Sequence, residues 1–147
     1  QLTLLLLLQV QACLRAVTAA AKDEINRDVM RDEGGLPTLI GYLASTDNTA
    51  LANTALCLGE LAWSESNLPS LRPAVLPLID ILQAHSATIA GQNAAIALAR
   101  MAKDSDILQT LRDKKAIEMM HHVSSDMARR AAATKAKATT AAKNKKK

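Results

Sequence analysis

The sequence predicts an all-α protein. Almost half of its 147 residues are apolar, yet there is no Phe, one Trp (Trp63) and one Tyr (Tyr42). The apolar content is therefore aliphatic, rich in Leu, Ala and Met, which favour helices, whereas strands favour aromatic and β-branched side chains. The apolar residues also recur at helical spacing in three successive stretches of similar pattern. A length of 147 residues is enough for one domain.

The chain opens on Gln1-Leu2-Thr3 and a run from Leu4 to Leu8. There is no initiator Met and no basic leader, and Gln9, Gln11 and Arg15 interrupt the run well short of the ~20 apolar residues of a membrane span. The run is expected to be the buried start of a helix, with no membrane span. A chain that begins without Met is expected to start inside a larger protein.

Self-comparison finds a period near forty. Gly35-Leu36-Pro37-Thr38-Leu39-Ile40 aligns with Ala74-Val75-Leu76-Pro77-Leu78-Ile79, and Leu36, Leu76 and Ile117 are anchors forty and forty-one residues apart. At a shift of forty, Asn53 meets Asn93, Ala55 meets Ala95, Leu58 meets Leu98, Leu61 meets Met101, Leu71 meets Leu111 and Arg72 meets Arg112. Each unit reads as three helices. A short first helix covers 25–32, 68–72 and 107–112, and a second covers 37–44, 77–83 and 117–123. A longer third covers 49–64 and 87–103, with an earlier copy ending near Lys22. Pro37 and Pro77 suit a first helical turn, where a missing N–H costs nothing. Gly34-Gly35 and Pro73 stand where one helix must stop. Asn67 and Ser105 are expected to cap the short helices that follow them.

The segments Glu33-Gly34-Gly35-Leu36-Pro37-Thr38-Leu39-Ile40 and Ala55-Leu56-Cys57-Leu58-Gly59-Glu60-Leu61-Ala62 carry a pattern that resembles the armadillo repeat. The resemblance runs from Leu7 to about Val123. It implies an armadillo-type right-handed α-solenoid of three-helix repeats. The expected units are a partial repeat over 1–33, repeats over 34–73 and 74–114, a partial repeat over 115–128, and a basic, disordered tail over 129–147, helical at first through Ala131-Ala132-Ala133. Repeats of this kind cannot bury their apolar faces alone. The Leu-rich beginning carries no polar cap, so the chain is expected to be the C-terminal end of a longer solenoid or to pack against a partner there.

The resemblance further implies a concave groove lined by the third helices. Its positions here are Asn53, Leu56, Glu60 and Trp63 in one unit and Asn93, Ile96, Arg100 and Lys103 in the next, with Leu14 and Thr18 corresponding to Leu56 and Glu60. One reading makes this a protein-binding surface anchored by Trp63 and Arg100. The other makes Leu56 and Ile96 core, Trp63 a filler between repeats, and Glu60 a partner for Arg100. Importin-α-like armadillo proteins hold basic peptides on Trp and Asn ladders. Here those positions are Leu14, Leu56 and Ile96, and Thr18, Glu60 and Arg100, so a receptor for basic peptides is not expected.

No catalytic constellation stands out, and neither an enzyme nor a cofactor is expected. His121 and His122 are adjacent rather than four apart, so they do not share a helix face for a metal. His85 lies near a loop. Gly34-Gly35 lacks the following Gly and Lys of a phosphate loop. Cys13 and Cys57 make neither a disulfide framework nor a zinc site and suit a reducing compartment; Cys57, among apolar neighbours, is expected to be inert.

Charge divides unevenly. Arg129, Arg130, Lys135, Lys137, Lys143, Lys145, Lys146 and Lys147 are followed or separated by no acid, which leaves ten basic residues and all fourteen acids in the rest of the chain. The tail suits an acidic partner, such as nucleic acid or a tubulin tail, although it has no aromatic residues for base stacking. Three functions follow as expectations. The first is a non-catalytic protein-binding scaffold or adaptor in the cytoplasm, with a cytoskeletal or ciliary axonemal assembly allowed by the resemblance. The second is an exchange-factor-like regulator of a small GTPase. The third is nucleic-acid binding through the tail.

Overall fold

The computed structural model describes the backbone of residues 2–144 and the side chains of residues 3–138. Lys145, Lys146, Lys147 and the side chain of Lys143 lie outside the described residues. The chain is all-helical, with no strand among the described residues. In order come α1 (Leu2–Ala20), α2 (Glu24–Asp32), α3 (Gly35–Gly41) with a 3-10 turn (Tyr42–Ala44), and α4 (Asn48–Leu61). Then follow α5 (Leu68–Leu71), set between 3-10 turns at Glu65–Asn67 and Arg72–Ala74, α6 (Val75–Ala84), α7 (Ile89–Met101), α8 (Ser105–Asp113) and α9 (Ala116–Asn144).

The long helices α1, α4 and α7 pack side by side in that order, and α6 packs along α7 as α3 and its 3-10 turn pack along α4. The contact between α4 and α7 is close because small residues line it. A Cβ on Gly59 would stand 3.4 Å from the Cα of Ala97. Ala55, Ala94 and Ala97 are fully buried. Helix α4, packed by α1 on one side and α7 on the other, buries residues on most of its circumference, Leu51, Ala55, Cys57, Leu58 and Leu61 among them.

Helix starts are set by acidic and hydroxyl caps. Asp23, Asp47 and Asp104 each accept two backbone N–H groups at the starts of α2, α4 and α8, and Thr88 accepts the Gly91 N–H of α7. The caps therefore differ from the expected ones. Ser105 is the first residue of α8, one place after its cap. Asn67 caps nothing; it is buried, donating to the Leu61 carbonyl at 3.1 Å and accepting from Arg31 at 3.2 Å. Gly34 ends α2 in the left-handed conformation, φ 72°, which glycine adopts without a Cβ penalty.

A polar clasp joins successive units. Arg31, near the end of α2, reaches Ser66 at 2.7 Å, beyond α4. Arg72, after α5, reaches Asp104 at 2.8 Å and Asp106 at 2.9 Å, beyond α7. Each arginine thus ties a first helix to the loop that follows the next third helix.

Burial corrects the register of the anchors. The buried series in the second helices is Leu36, Val75 and Ala116, while Leu76 is 50% and Ile117 39% exposed. Second helices are thus related by 39 and then 41 residues, because Pro37 and Pro77 occupy different phases. Leu43, Leu82 and Val123 close the same face two turns further on.

Two further expectations change. Helix α1 continues through Gln9, Gln11 and Arg15, so that 3–20 is long and apolar enough to cross a membrane by length and composition. Leu14 and Thr18 are nevertheless buried, and α1 lies along α4. Leu4 to Leu8 are exposed rather than buried. At the other end α9 runs without a break from Ala116 to Asn144, past both the 128/129 boundary and the disorder expected after Ala133. That stretch holds no Gly or Pro, and its Ala and Lys residues favour helix.

Two predictions follow from this packing. A Cβ on Gly91 would meet the backbone carbonyl of His85 and come within 2.9 Å of the Ser86 Cα. Gly91→Ala should cost about 2 kcal/mol or more, seen as a melting point lowered by roughly 5 °C or more. The second concerns acid. The Arg72 guanidinium, with backbone N–H donors, holds Asp104 below the usual carboxylate range, and Gln11, with backbone N–H donors, does the same for Asp47. A depressed folded-state pKa stabilises above the unfolded value of about 3.9 and is lost as pH falls through the folded value. Thermal melts should therefore show stability declining below about pH 4, with a shallower decline in Asp104→Asn.

Candidate partner-binding groove

The eight groove residues occupy one face of α4, α7 and the turns that follow them. None is fully buried: Asn53, Leu56, Glu60, Asn93, Ile96 and Arg100 are half-buried, and Trp63 and Lys103 are exposed. Leu56 and Ile96 are thus not core, and Trp63, 49% exposed, fills no gap. Trp63 follows α4 directly, and Arg100 is near the end of α7. The Arg100 guanidinium lies 4.7 Å and the Lys103 ammonium 5.5 Å from the centroid of the Trp63 ring. Such contacts contribute about 0.5–1 kcal/mol at exposed sites.

Arg100 also pairs with Glu60 at 3.0 Å, and Lys103 stands 3.9 Å from Glu65. The Glu60–Arg100 pairing anticipated from the sequence is therefore present, together with an exposed ring that it helps to position. Asn93 donates to the Ala52 carbonyl at 2.8 Å across the α4–α7 contact. The amide nitrogen of Asn53 is buried and finds no acceptor.

Toward α1 the face deepens into a depression of about 340 Å³, lined by Arg15, Thr18, Ala19, Lys22, Asn53, Leu56 and Glu60. The sequence assigned α1's share to Leu14 and Thr18, but both are buried, Leu14 at 3% and Thr18 at 6%. Thr18 instead donates to the Leu14 carbonyl at 2.7 Å. The correct offset from α1 to α4 is 41, fixed by the fully buried Ala21 and Ala62 at the helix ends. It places Arg15 opposite Leu56, Ala19 opposite Glu60 and Lys22 opposite Trp63. The signal was available in the sequence: Ala21, Ala62 and Ala102 each stand just beyond the third-helix pattern.

The charge of the face is set by pairing. Glu60 and Glu65 have Arg100 and Lys103 as partners. Arg15 and Lys22 enter no salt bridge among the described residues. The four basic side chains against two acids leave the groove net positive.

The other candidates sit elsewhere. Burial pushes the Cys57 thiol up to about 11, so it carries little thiolate at neutral pH; Cys13 is exposed on α1. His122 is 3.6 Å from Asp126, one turn along α9, and His85 ends α6, its carbonyl accepting the Thr88 hydroxyl at 2.9 Å. In the basic segment every residue from 128 to 138 is exposed. Two of its arginines have local partners: Arg129 pairs with Asp126, and Arg130 donates to the Ala87 carbonyl at 3.1 Å. Compared with family models, curated proteins and solved structures, the chain finds no match.

Proposed function

We propose that the chain is a non-catalytic scaffold or adaptor whose three-helix units form an armadillo-type right-handed solenoid and whose third helices bind a partner protein. The observation that carries this is the Trp63 ring, half exposed and held under Arg100 and Lys103 beside the depression at Arg15 and Lys22. An exposed aromatic residue fixed by neighbours loses little entropy on binding, which suits it to anchor a partner. The net positive groove favours an acidic, extended segment of that partner, with apolar side chains seated on Leu56 and Trp63. This polarity is opposite to that of receptors for basic peptides.

Helix α9 adds a second attachment. Its exposed length presents Arg129, Lys135 and Lys137, with Arg130 held at the Ala87 carbonyl, and suits an acidic surface, such as an acidic tubulin tail. Nucleic acid is the competing occupant, and steep loss of binding with salt distinguishes it.

The groove is tested with a short peptide of alternating Glu and Leu, read through Trp63 fluorescence, since the chain has one Trp. Arg15→Glu with Lys22→Glu should weaken binding about ten-fold or more, and Trp63→Ala should abolish the heat of binding in calorimetry. Unchanged affinity in both variants would remove the groove from the proposal.

A further inference from the structure

The depression between α1 and α4 has its origin in two side chains. At the α4–α7 contact Gly59 meets Ala97. The corresponding places between α1 and α4, by the offsets of 41 and 40, hold Thr18 and Cys57, which touch and are buried. Two larger residues thus separate α1 from α4 where a glycine and an alanine join α4 to α7. The consequence is visible at two asparagines. Asn93 donates across its contact to the Ala52 carbonyl at 2.8 Å. Asn53 holds the same place one unit earlier, where the corresponding acceptor is the Gln11 carbonyl, yet its amide nitrogen finds no acceptor. Asn53 lines the depression of about 340 Å³ that opens there.

The other donors of this depression are cations. Arg15 and Lys22 lie two turns apart on one face of α1, about 10 Å along the helix. Both are exposed, and neither side chain has a partner among the described residues. Ala19 stands between them in the wall and carries nothing beyond its Cβ, so both long side chains can bend over the same space. The acid in the wall, Glu60, is neutralised by Arg100 at 3.0 Å. Two uncompensated positive charges and an unused amide donor therefore border one depression. A carboxylate brings a single negative charge. A phosphate monoester brings about −1.5 to −2 and three acceptor oxygens, and a guanidinium fork fits phosphate geometry.

We infer that this depression seats a phosphorylated Ser or Thr side chain of the partner's extended segment. The inference rests on the groove reading given above and assigns the α1 end of that groove. The phosphate lies between the Arg15 guanidinium and the Lys22 ammonium. Rotation of the Asn53 amide about χ2, a soft torsion, turns its unused donor to a phosphate oxygen. The segment then continues over Leu56 toward Trp63.

The full chain would be titrated by calorimetry with three versions of the Glu–Leu peptide, carrying Ser, phosphoserine or Glu at the centre. The phosphoserine peptide should bind about ten-fold more tightly than the other two. That preference should vanish in Arg15→Gln with Lys22→Gln. It should also fall in Asn53→Leu, whose melting temperature should not fall, because an unpartnered buried amide is removed. A purely structural role for Asn53 would move the melting temperature and leave the preference intact. Equal affinity for the phosphoserine and Glu peptides overturns the inference while the groove reading stands; failure of all three peptides to bind removes both. A phosphoserine preference that survives the double variant overturns it by placing the phosphate on another basic surface, such as α9. Binding of phosphatidic acid vesicles through Arg15 and Lys22, without binding of the phosphoserine peptide, overturns it in favour of a lipid headgroup.

Discussion

The close approach of α4 to α7 sets the geometry of everything around it. Gly59 and Ala97 let the two backbones come together, and the fully buried Ala55 and Ala94 carry small side chains on the same helices. Larger residues at these places would push the helices apart by overpacking. The distance between the third helices also decides that Arg100 of one unit reaches Glu60 and Trp63 of the previous one. The α4–α7 contact and the face that carries Trp63 are therefore two sides of one arrangement.

Around that contact the polar side chains act as connectors. Arg31 and Arg72 hold first helices to the loops beyond the next third helix. Asn67 joins the same junction from inside, fully buried and hydrogen-bonded. A buried amide is tolerated only when such partners are present. These connections fix the spacing of units where aliphatic packing alone would permit sliding, since Leu and Ala surfaces have little directional preference.

The helical class and the order of elements were legible in the sequence because aliphatic spacing and the Gly and Pro positions agree with one another. Phase was harder to read. Leu76 and Ile117 resembled Leu36 in type and place, yet Val75 and Ala116 take its buried role; a one-residue error changes the helix face by about 100°. The same error placed Leu14 in the groove and hid Arg15, Ala19 and Lys22, while Thr18, though buried, does line the depression. Burial resolved it in the second helices, since Leu, Val and Ala exchange freely in a helical apolar pattern; for α1 the alanines Ala21, Ala62 and Ala102 already carried the register. Caps were misread for a related reason. Ser105 and Asp104 are both good capping residues, and only the backbone decides which one precedes the first turn. The pairing of Glu60 with Arg100 belonged to one of the two readings of the groove positions, whereas the exposure of the Trp63 ring depended on where α4 ends.

The face shared by α1, α4 and α7 is proposed as the place where a partner protein binds. Crosslinking mass spectrometry in native lysate addresses it most directly, because Lys22 and Lys103 mark the two ends of that face and Lys135 and Lys137 mark the exposed part of α9. Lys22 and Lys103 should crosslink to acidic segments of one recurring protein. Crosslinks confined to the chain itself, or running only from Lys135 and Lys137, would contradict it.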